Sequence, residues 1–493
     1  MSAADVAAWK DPIPPLESLG AVHFIGIGGA GMSGIARIML ARGLAVSGTD
    51  RRDSPAMRAL AALGARVEVG HDAAHLGDAA TVVVSTAIRP DNPELVAARE
   101  RGLRVVPRAV ALAAVMAGRR SVAVAGTHGK TSTTSMLTVA VQSCGVDPSF
   151  AIGGTLNESG SNAHAGQGDV FLAEADESDR SFLLLAPYGA IVTNVEADHL
   201  DNYGDLAAVE AAFDTFVGTV PADGFLVLCA DDPGAARLAG NDPPARVRTY
   251  GQGAGADLQL VDLTVAADGT RYTAVLDGEV LGPVHLRLPG AHMALNSAAA
   301  LLAGLELGLP AAGLIGGLGR FGGVHRRFEL KGVVAGVRVY DDYAHHPTEV
   351  AAQLRAARAV VGDGRLLVLF QPHLYSRTAQ FATGFGEALG LADEVVVMEV
   401  YGAREDPVPG VTGALVADAV PLPAGRVAFE PSWSAAAGAM AARARPGDLV
   451  VTMGAGDVSM VGPEVLAALG ETDEDENGDE DATADGDGSE PAR

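Results

Sequence analysis

A glycine-rich turn carrying a single lysine is the strongest chemical signal in the sequence. The run SVAVAGTHGKTSTT joins an apolar strand-like segment to a helix-like segment at positions 121–134. Backbone N–H groups at such a turn bind phosphate oxygens, while Lys130 adds an ammonium group and Thr131 a hydroxyl suited to Mg²⁺. A strict G-x-x-x-x-G-K-[ST] motif would need glycine where the chain has Val124. The shorter turn still predicts nucleotide binding, although Gly126 and Gly129 would also suit an ordinary strand-to-helix turn.

Lysine is rare in this chain, which makes the position of Lys130 informative. The sequence holds three lysines, Lys10, Lys130 and Lys331, and arginine supplies nearly all other positive charge. A compact ammonium beside a phosphate-binding turn stabilises charge in the transition state of phosphoryl transfer. Because lysines are usually exposed, we expect replacement of Lys130 to lower turnover and to leave folding almost unchanged.

Carboxylates and an imidazole follow two later apolar segments, each of which is predicted to be a strand. These residues are Glu174, Asp176, Glu177, Asp179, Glu196, Asp198, His199 and Asp201. The carboxyl ends of parallel strands meet at one edge of a sheet, so both groups should lie near the Lys130 turn. Oxygen donors beside nucleotide phosphates favour Mg²⁺. His199 is an unusual Mg²⁺ ligand, and a helix-capping or hydrogen-bonding role for it stays open.

A second glycine-rich turn opens the chain's first predicted strand–helix unit. The stretch from Gly26 to Gly34 reads GIGGAGMSG, and Asp50 lies at the end of the next predicted strand. Glycines for close approach to a pyrophosphate, with a carboxylate for a ribose hydroxyl, are typical of a Rossmann-type site. Alone, this turn would fit an NAD(P)-dependent oxidoreductase or a turn without a ligand. Together with the second turn, it predicts a nucleotide-linked substrate on one domain and ATP on the next.

The elements that must position these residues alternate between short apolar strands and Ala/Leu-rich helices. This pattern predicts an α/β protein with parallel sheets in three domains, since 493 residues exceed one hydrophobic core. We expect a Rossmann-like domain at 1–119, a central P-loop ATPase-like domain at 120–324 and a Rossmann-like domain at 325–470. The segment 471–493 carries eleven acidic residues and one basic residue, with few apolar ones. It is therefore expected to be a disordered acidic tail.

Composition limits the function classes. A net charge of −26 argues against nucleic acid as a partner. Two distant cysteines exclude a disulfide framework and a thiolate zinc site. The first residues lack the pattern of a signal peptide, and no apolar run is long enough to insert into a membrane. We therefore expect a cytoplasmic enzyme with small-molecule substrates, as a monomer or weak homodimer.

Six motifs together resemble the Mur ligase family, and the resemblance extends from about Gly20 to Gly470. Besides the two turns, they are EADESD from Glu174, TNVEADHL from Thr193, DDYAHHPT from Asp341 and QPHLYSRT from Gln371. The resemblance is to the branch that adds L-alanine. It implies that ATP phosphorylates the lactyl carboxylate of UDP-N-acetylmuramate and that L-alanine then displaces the phosphate, in peptidoglycan precursor synthesis.

The resemblance also implies roles for individual residues, with ATP and Mg²⁺ as cofactors. It assigns the UDP-sugar to Gly28, Gly29, Ala30, Gly31, Met32, Ser33, Asp50 and His71. It assigns ATP to Gly126, Thr127, Gly129, Lys130, Thr131, Ser132, His292, Asn296, Arg326, Arg327 and Asp342. The implied metal ligands are Thr131, Glu174 and His199, and the implied amino-acid contacts are Tyr343, His345 and Arg377. The implied catalytic residues are Lys130, Glu174, His199, His345 and Arg377.

Two features distinguish branches of the family. The family often has a basic residue where this chain has Leu374. Several sibling ligases use a carbamylated lysine to bridge metals, whereas this chain has no lysine between Lys130 and Lys331. The missing lysine fits the alanine-adding branch, but it also fits a recycling ligase that joins an intact tripeptide to the same UDP-sugar. That alternative, an oxidoreductase and a purely regulatory P-loop protein all stay open at this point.

Overall fold

The protein forms two compact units. The computed structural model describes Trp9, residues 11–403 and residues 405–482. Within them, the first unit runs to Thr264 and continues with Thr270–Leu288 and His292–Val324. The second unit comprises Val265–Gly269, Pro289–Ala291 and the chain from His325 onward.

A five-stranded parallel sheet begins the first unit. Its strand order is β3-β2-β1-β4-β5, so the order reverses beside β1. Such reversal points in doubly wound sheets are where ligands bind. The strands are β1 (Val22–Ile25), β2 (Val46–Asp50), β3 (Arg66–Val69), β4 (Thr81–Val84) and β5 (Arg104–Pro107). The helices are α1 (Ala30–Ala41), α2 (Pro55–Ala62), α3 (Pro93–Glu100) and α4 (Arg108–Met116), with 3₁₀ turns at Leu16–Leu19 and Ala73–Leu76.

A ten-stranded mixed sheet completes the first unit, in the order β15-β14-β13-β12-β11-β10-β6-β9-β7-β8. Its strands are β6 (Arg120–Ala125), β7 (Ser149–Ala151), β8 (Ala163–His164), β9 (Val170–Glu174), β10 (Gly189–Val192), β11 (Phe225–Cys229), β12 (Arg246–Gly251), β13 (Leu258–Ala266), β14 (Gly269–Leu276) and β15 (Glu279–Leu286). Its helices are α5 (Lys130–Ser143), α6 (Leu200–Tyr203), α7 (Leu206–Val217), α8 (Pro233–Arg237), α9 (Ala291–Glu306) and α10 (Ala311–Leu318), with 3₁₀ turns at Ser181–Leu184 and Leu238–Asn241.

The second unit contains a six-stranded sheet in the order β16-β17-β21-β18-β19-β20. Its strands are β16 (Glu329–Val334), β17 (Val337–Asp342), β18 (Leu366–Phe370), β19 (Glu394–Val397), β20 (Val427–Phe429) and β21 (Leu449–Met453). β16 is antiparallel to β17, and the other neighbours are parallel. The helices are α11 (Pro347–Val361), α12 (Tyr375–Leu389), α13 (Ala414–Ala419), α14 (Trp433–Ala441) and α15 (Val461–Ala482), with 3₁₀ turns at Ala424–Arg426 and Asp457–Met460.

Burial explains why the central strands are short apolar runs without alternation. β6 pairs with β9 on one side and β10 on the other, and all three strands are parallel. Every residue of β10 is buried, as are five of the six residues of β6. Parallel strands covered by helices on both faces have no solvent face to mark with polar residues. The predicted α/β architecture with parallel sheets is confirmed.

The last helix reaches into the acidic end of the chain. α15 is anchored by Val461, Val465 and Leu469, which are buried in the second unit, and it extends through Ala482. The expected disorder of the acidic segment stays a prediction. The remaining tail, 483–493, lies outside the described residues.

Candidate active site

The Lys130 turn lies between the end of β6 and the start of α5, docked on the end of β10. Gly126 and Gly129 have φ values of +133° and +82°, which side chains other than glycine rarely adopt. A Cβ at Gly126 would also collide with Thr193. The side chain of Asn194 holds the turn, since its Oδ1 accepts from the His128 N–H at 2.7 Å. These contacts fix the backbone that was predicted to receive phosphates.

Asn296 packs against the same turn. An added Cβ at Gly129 would lie 2.7 Å from Asn296 Oδ1, and Asn296 is 8% exposed. His292 lies one turn earlier on the same helix, so both side chains are on one face of α9. Both residues were predicted to lie on the adenine side of the nucleotide. The structure thus brings Asn296 to the turn, from a helix about 165 residues later in the sequence.

Lys130 is largely buried in an ion pair, contrary to the expectation of an exposed side chain. Its Nζ lies 2.8 Å from a carboxylate oxygen of Glu177 and donates to Gly126 O at 2.7 Å and Thr127 O at 3.1 Å. The Lys130 side chain is 14% exposed and that of Glu177 is 3% exposed. Burial lowers the pKa of Lys130, but the Glu177 carboxylate outweighs this effect and raises it. The paired carboxylate therefore favours the charged form of Lys130.

Glu177 belongs to the carboxylates expected near the turn, and the structure pairs it with Lys130, which the sequence analysis did not predict. Burial raises its pKa to about 7, although Lys130 opposes the shift. His199 Nε2 lies 3.8 Å from Glu177 Oε1 and 3.5 Å from Asp198 Oδ2. His199 also precedes α6 with φ +52°. Glu177 therefore stands between two residues predicted to be catalytic, Lys130 and His199.

Thr131 and Glu174 converge as a candidate metal site. The Thr131 hydroxyl lies 3.0 Å from both carboxylate oxygens of Glu174. The Gly153 N–H donates to Glu174 Oε2 at 2.8 Å, which orients the carboxylate. Two oxygen donors at the N-terminus of α5 fit a hard cation such as Mg²⁺. His199 lies near Glu177 and Asp198. That His199 and Glu174 bind the same metal ion stays a prediction.

The first glycine-rich turn, between β1 and α1, offers an anion fewer backbone N–H groups than its sequence suggested. Asp50 Oδ2 accepts from the Gly28 N–H at 2.9 Å. The N–H groups of Met32 and Ser33 both bond to Gly29 O, and the Gly29 N–H bonds to Gly26 O. The Met32 side chain is buried in the core. An anion at this helix start would therefore meet Ala30 and Gly31, the first two residues of α1.

The sequence analysis missed a buried carboxylate, Glu94, which contacts side chains of β1 and β2. Glu94 is fully buried and accepts from the Thr49 hydroxyl at 2.7 Å, with His71 Nδ1 at 2.8 Å and His23 Nε2 at 3.3 Å. Burial raises the pKa of Glu94, but the hydrogen bonds from His23, Thr49 and His71 outweigh it and lower the pKa. His71, predicted to be near the uridine, is thus held by Glu94. The ionic role of Glu94 was hidden because it looked like an ordinary acidic residue at a helix start.

In the second unit, the predicted residues lie before β16 and at the end of β17. Asp342, 3% exposed, accepts from the N–H groups of Phe328 and Ala344, each at 2.8 Å. Burial raises the pKa of Asp342 to about 6, although Arg327 opposes the shift. The guanidinium carbons of Arg326 and Arg327 lie 5.0 and 5.2 Å from the centre of the Tyr343 ring. Both linker arginines therefore flank a residue predicted to contact the amino acid.

His345 and His373 lie together, and Arg377 follows at the start of α12. His345 Nδ1 lies 3.0 Å from Tyr343 O, so Nδ1 carries the proton and Nε2 is the basic nitrogen. The His345 and His373 rings are 6.0 Å apart. Arg377 is 5% exposed in the first turn of α12. Leu374, where the family often has a basic residue, is also buried and precedes this helix with φ +67°. This position therefore supplies no positive charge.

Comparison with known proteins decides the family. Residues 21–120 match the model of the Mur ligase family catalytic domain, residues 124–304 match the Mur ligase middle domain, and residues 326–456 match the Mur ligase glutamate ligase domain. The chain belongs to the Mur ligase family.

Two relatives of this Mur ligase share one name. It is 62% identical over 460 residues to UDP-N-acetylmuramate–L-alanine ligase of Acidothermus cellulolyticus, covering 92% of this chain and 96% of the relative. It is 61% identical over 486 residues to the enzyme of that name from Saccharopolyspora erythraea, covering 96% and 97%.

Two solved structures share the architecture. UDP-N-acetylmuramate-alanine ligase from Thermotoga maritima superposes with a TM-score of 0.77 at 29% identity, covering 92% of this Mur ligase and 99% of that chain. A murein peptide ligase from Psychrobacter arcticus has a TM-score of 0.68 at 26% identity, with 92% and 99% covered.

Proposed function

We infer that this Mur ligase joins L-alanine to UDP-N-acetylmuramate at the expense of ATP, in the synthesis of peptidoglycan precursors. The observation that carries the inference is the Lys130 turn, where an ammonium, the Thr131 hydroxyl and the Glu174 carboxylate meet at one helix start. The relatives that are 62% and 61% identical bear the name of this activity.

The reaction proceeds through an acyl phosphate. A lactyl carboxylate oxygen attacks the γ-phosphorus of ATP, the bond to the bridging oxygen breaks, and ADP leaves. The amine of L-alanine then attacks the acyl carbon, and phosphate leaves with one former carboxylate oxygen. The first step brings anions together, so positive charge at Lys130 stabilises its transition state.

We assign the metal to Thr131 and Glu174, with His199 as a further predicted ligand. Bound Mg²⁺ supplies positive charge that offsets repulsion between the carboxylate and the phosphates. The residues fit because oxygen donors already converge in the folded chain, 3.0 Å apart. The ATP contacts that we assign are those predicted from the sequence. They are Gly126, Thr127 and Gly129 to Ser132, with His292 and Asn296 on the adenine side.

We assign the amino acid to the second unit. His345 Nε2, the basic nitrogen, takes the proton that the ammonium of L-alanine must lose before attack. The Arg377 guanidinium is suited to the carboxylate of L-alanine. We further propose that segments 1–119, 120–324 and 325–470 hold the UDP-sugar, ATP and the amino acid respectively, with Arg326, Arg327 and Asp342 on the nucleotide.

A further proposal concerns the location and the oligomeric state of the enzyme. Among the described residues, no helix has the length and apolar character that crossing a bilayer requires. We propose a cytoplasmic enzyme acting on small molecules, as a monomer or weak homodimer. Native mass spectrometry at micromolar concentration tests the oligomeric state, and a stable higher oligomer would contradict it.

A recycling ligase that takes a tripeptide is the second candidate, favoured by the structural likeness to the murein peptide ligase. The two activities differ in acceptor size. Purified protein with UDP-N-acetylmuramate, ATP and Mg²⁺ should release phosphate on addition of L-alanine and yield a product heavier by one alanyl residue. Phosphate release that requires the tripeptide would favour the second candidate.

A further inference from the structure

A cavity in the first unit connects the first glycine-rich turn to the candidate metal site. Its volume is about 180 Å³. It is lined by the first turns of α1, by α4, and by the ends of β7 and β9 with the residues that follow them. The lining residues are Ala30, Gly31, Gly34, Ile35, Arg108, Leu112, Ala151, Ile152, Gly153, Glu174 and Asp176. A ligand in it would touch the start of α1 and the Glu174 carboxylate, which accepts from the Thr131 hydroxyl at the start of α5.

The ionic side chains that line the cavity are two carboxylates, which disfavour an acidic ligand, and one arginine, which favours it. Glu174 and Asp176 are carboxylates, and among the described residues that line the cavity Arg108 is the one cation. A substrate acid that has to approach Glu174 would be repelled by both carboxylates. Arg108 is therefore the residue in this cavity that can offset the charge of such an acid.

Arg108 is held in position by contacts that a ligand could exchange. Its Nη2 lies 2.8 Å from Asp176 Oδ2, and the side chains of Arg108 and Asp176 are 21% and 38% exposed. Asp176 Oδ1 separately accepts from the Ser178 N–H at 3.1 Å, so Asp176 keeps a partner if Arg108 turns away. An added Cβ at Gly31 would lie 2.9 Å from Arg108 Nη1, so the absence of a side chain there makes room for the guanidinium.

We propose that Arg108 determines specificity for the acid-bearing sugar, by exchanging Asp176 for the lactyl carboxylate of UDP-N-acetylmuramate in this cavity. The proposal rests on the function proposed above. The helix start at Ala30 and Gly31 receives the pyrophosphate, and Glu174 and Thr131 mark the phosphoryl-transfer end. Arg108 lies beside Gly31 and pairs with Asp176, in the cavity that Glu174 also lines. A guanidinium binds a carboxylate through two parallel hydrogen bonds, which orients the attacking oxygen.

Calorimetric titration with two sugar nucleotides tests the proposal. UDP-N-acetylmuramate and UDP-N-acetylglucosamine share the pyrophosphate, but only the first has the carboxylate. Both are titrated with and without a saturating non-hydrolysable ATP analogue. The variants are Arg108→Gln and Asp176→Asn, with Arg104→Gln as control. Arg104 belongs to the neighbouring strand β5, is exposed, and bonds to Ser18 O at 3.0 Å.

Arg108→Gln should weaken binding of UDP-N-acetylmuramate by about 10- to 100-fold, the usual range for losing a hydrogen-bonded charge. Binding of UDP-N-acetylglucosamine should barely change, so selectivity between the two ligands collapses. Asp176→Asn should keep or improve the affinity for UDP-N-acetylmuramate, because Arg108 loses a competing partner. Arg104→Gln should match the wild type.

Three results would overturn the proposal. Equal losses for both nucleotides would mean that Arg108 reads the pyrophosphate. An unchanged Arg108→Gln titration would remove Arg108 from the site, and an Asp176→Asn loss as large as that of Arg108→Gln would make the pair purely structural. Failure of the proposed function is distinguishable, because the wild-type protein would then neither prefer UDP-N-acetylmuramate nor release phosphate with L-alanine.

Discussion

Replacing Lys130 with alanine should affect both turnover and stability, and the two effects are separable. The ammonium supplies charge to the phosphoryl transition state, and its loss should lower turnover by about 10²-fold or more, as for comparable electrostatic deletions. It also neutralises Glu177, whose side chain is 3% exposed. Removing it leaves a buried carboxyl group without its cation.

The stability loss should depend on pH. Removing one partner of a buried ion pair typically costs about 3–5 kcal/mol. Burial raises the pKa of Glu177 to about 7, so an unpaired Glu177 can instead take up a proton. Without Lys130, the folded-state pKa rises further above the unfolded value. The folded variant then binds more protons than the unfolded chain in that window, and its stability falls as pH rises. We expect a loss of about 1 kcal/mol at pH 6 and about 3 kcal/mol at pH 8.5.

Thermal unfolding at both pH values and phosphate release measure the two effects. The double variant Lys130→Ala/Glu177→Gln is the matched control, because a neutral amide needs no counter-charge. It should regain most of the lost stability at pH 8.5 and none of the turnover. Equal stability of Lys130→Ala and wild type at pH 8.5 would refute the ion pair. Near-normal turnover would refute the phosphate-binding assignment.

Three further predictions concern the metal, the tail and a buried acid. Glu174→Gln and His199→Ala should each raise the Mg²⁺ concentration for half-maximal rate, Glu174→Gln more because Glu174 contacts Thr131; unchanged Mg²⁺ dependence in both would leave them structural. Truncation after Gly470 should leave activity and melting temperature nearly unchanged, since the buried anchors of α15 end at Leu469; a melting point several degrees lower would show that the tail docks. The pKa of Asp342 is raised to about 6, so its contribution to stability falls as pH rises from about 4 to 6; wild type should lose melting temperature relative to Asp342→Asn between pH 4.5 and 7, and parallel curves would contradict this.

The sequence predicted the strands that flank the site well, because they are buried on both faces. β6, β9, β10 and β11 are built on the apolar runs 122–125, 170–173, 190–192 and 225–229, and such short apolar runs are typical of buried parallel strands. Edge strands were missed, among them β3 and β20. β3 is mostly exposed, so its residues carry no apolar pattern that distinguishes it from a loop.

Pairing partners within the site could not be predicted. EADESD places four acids within six residues, and spacing does not say that Glu177 pairs with Lys130, Glu174 with Thr131 and Asp176 with Arg108. Those choices depend on how the loop after β9 turns against α5 and α4. The same limit hid Glu94, whose partners lie on β1, on β2 and after β3.

Transfer of a labelled oxygen tests the central claim most directly. UDP-N-acetylmuramate with ¹⁸O in both lactyl carboxylate oxygens is turned over with ATP, Mg²⁺ and L-alanine, and the released phosphate is analysed by mass spectrometry. An acyl phosphate requires that one labelled oxygen leave with each phosphate while the other stays in the new amide. Phosphate carrying one ¹⁸O per amide formed is the predicted result. Amide formation with unlabelled phosphate would contradict the acyl-phosphate mechanism and the role given to the Lys130 turn.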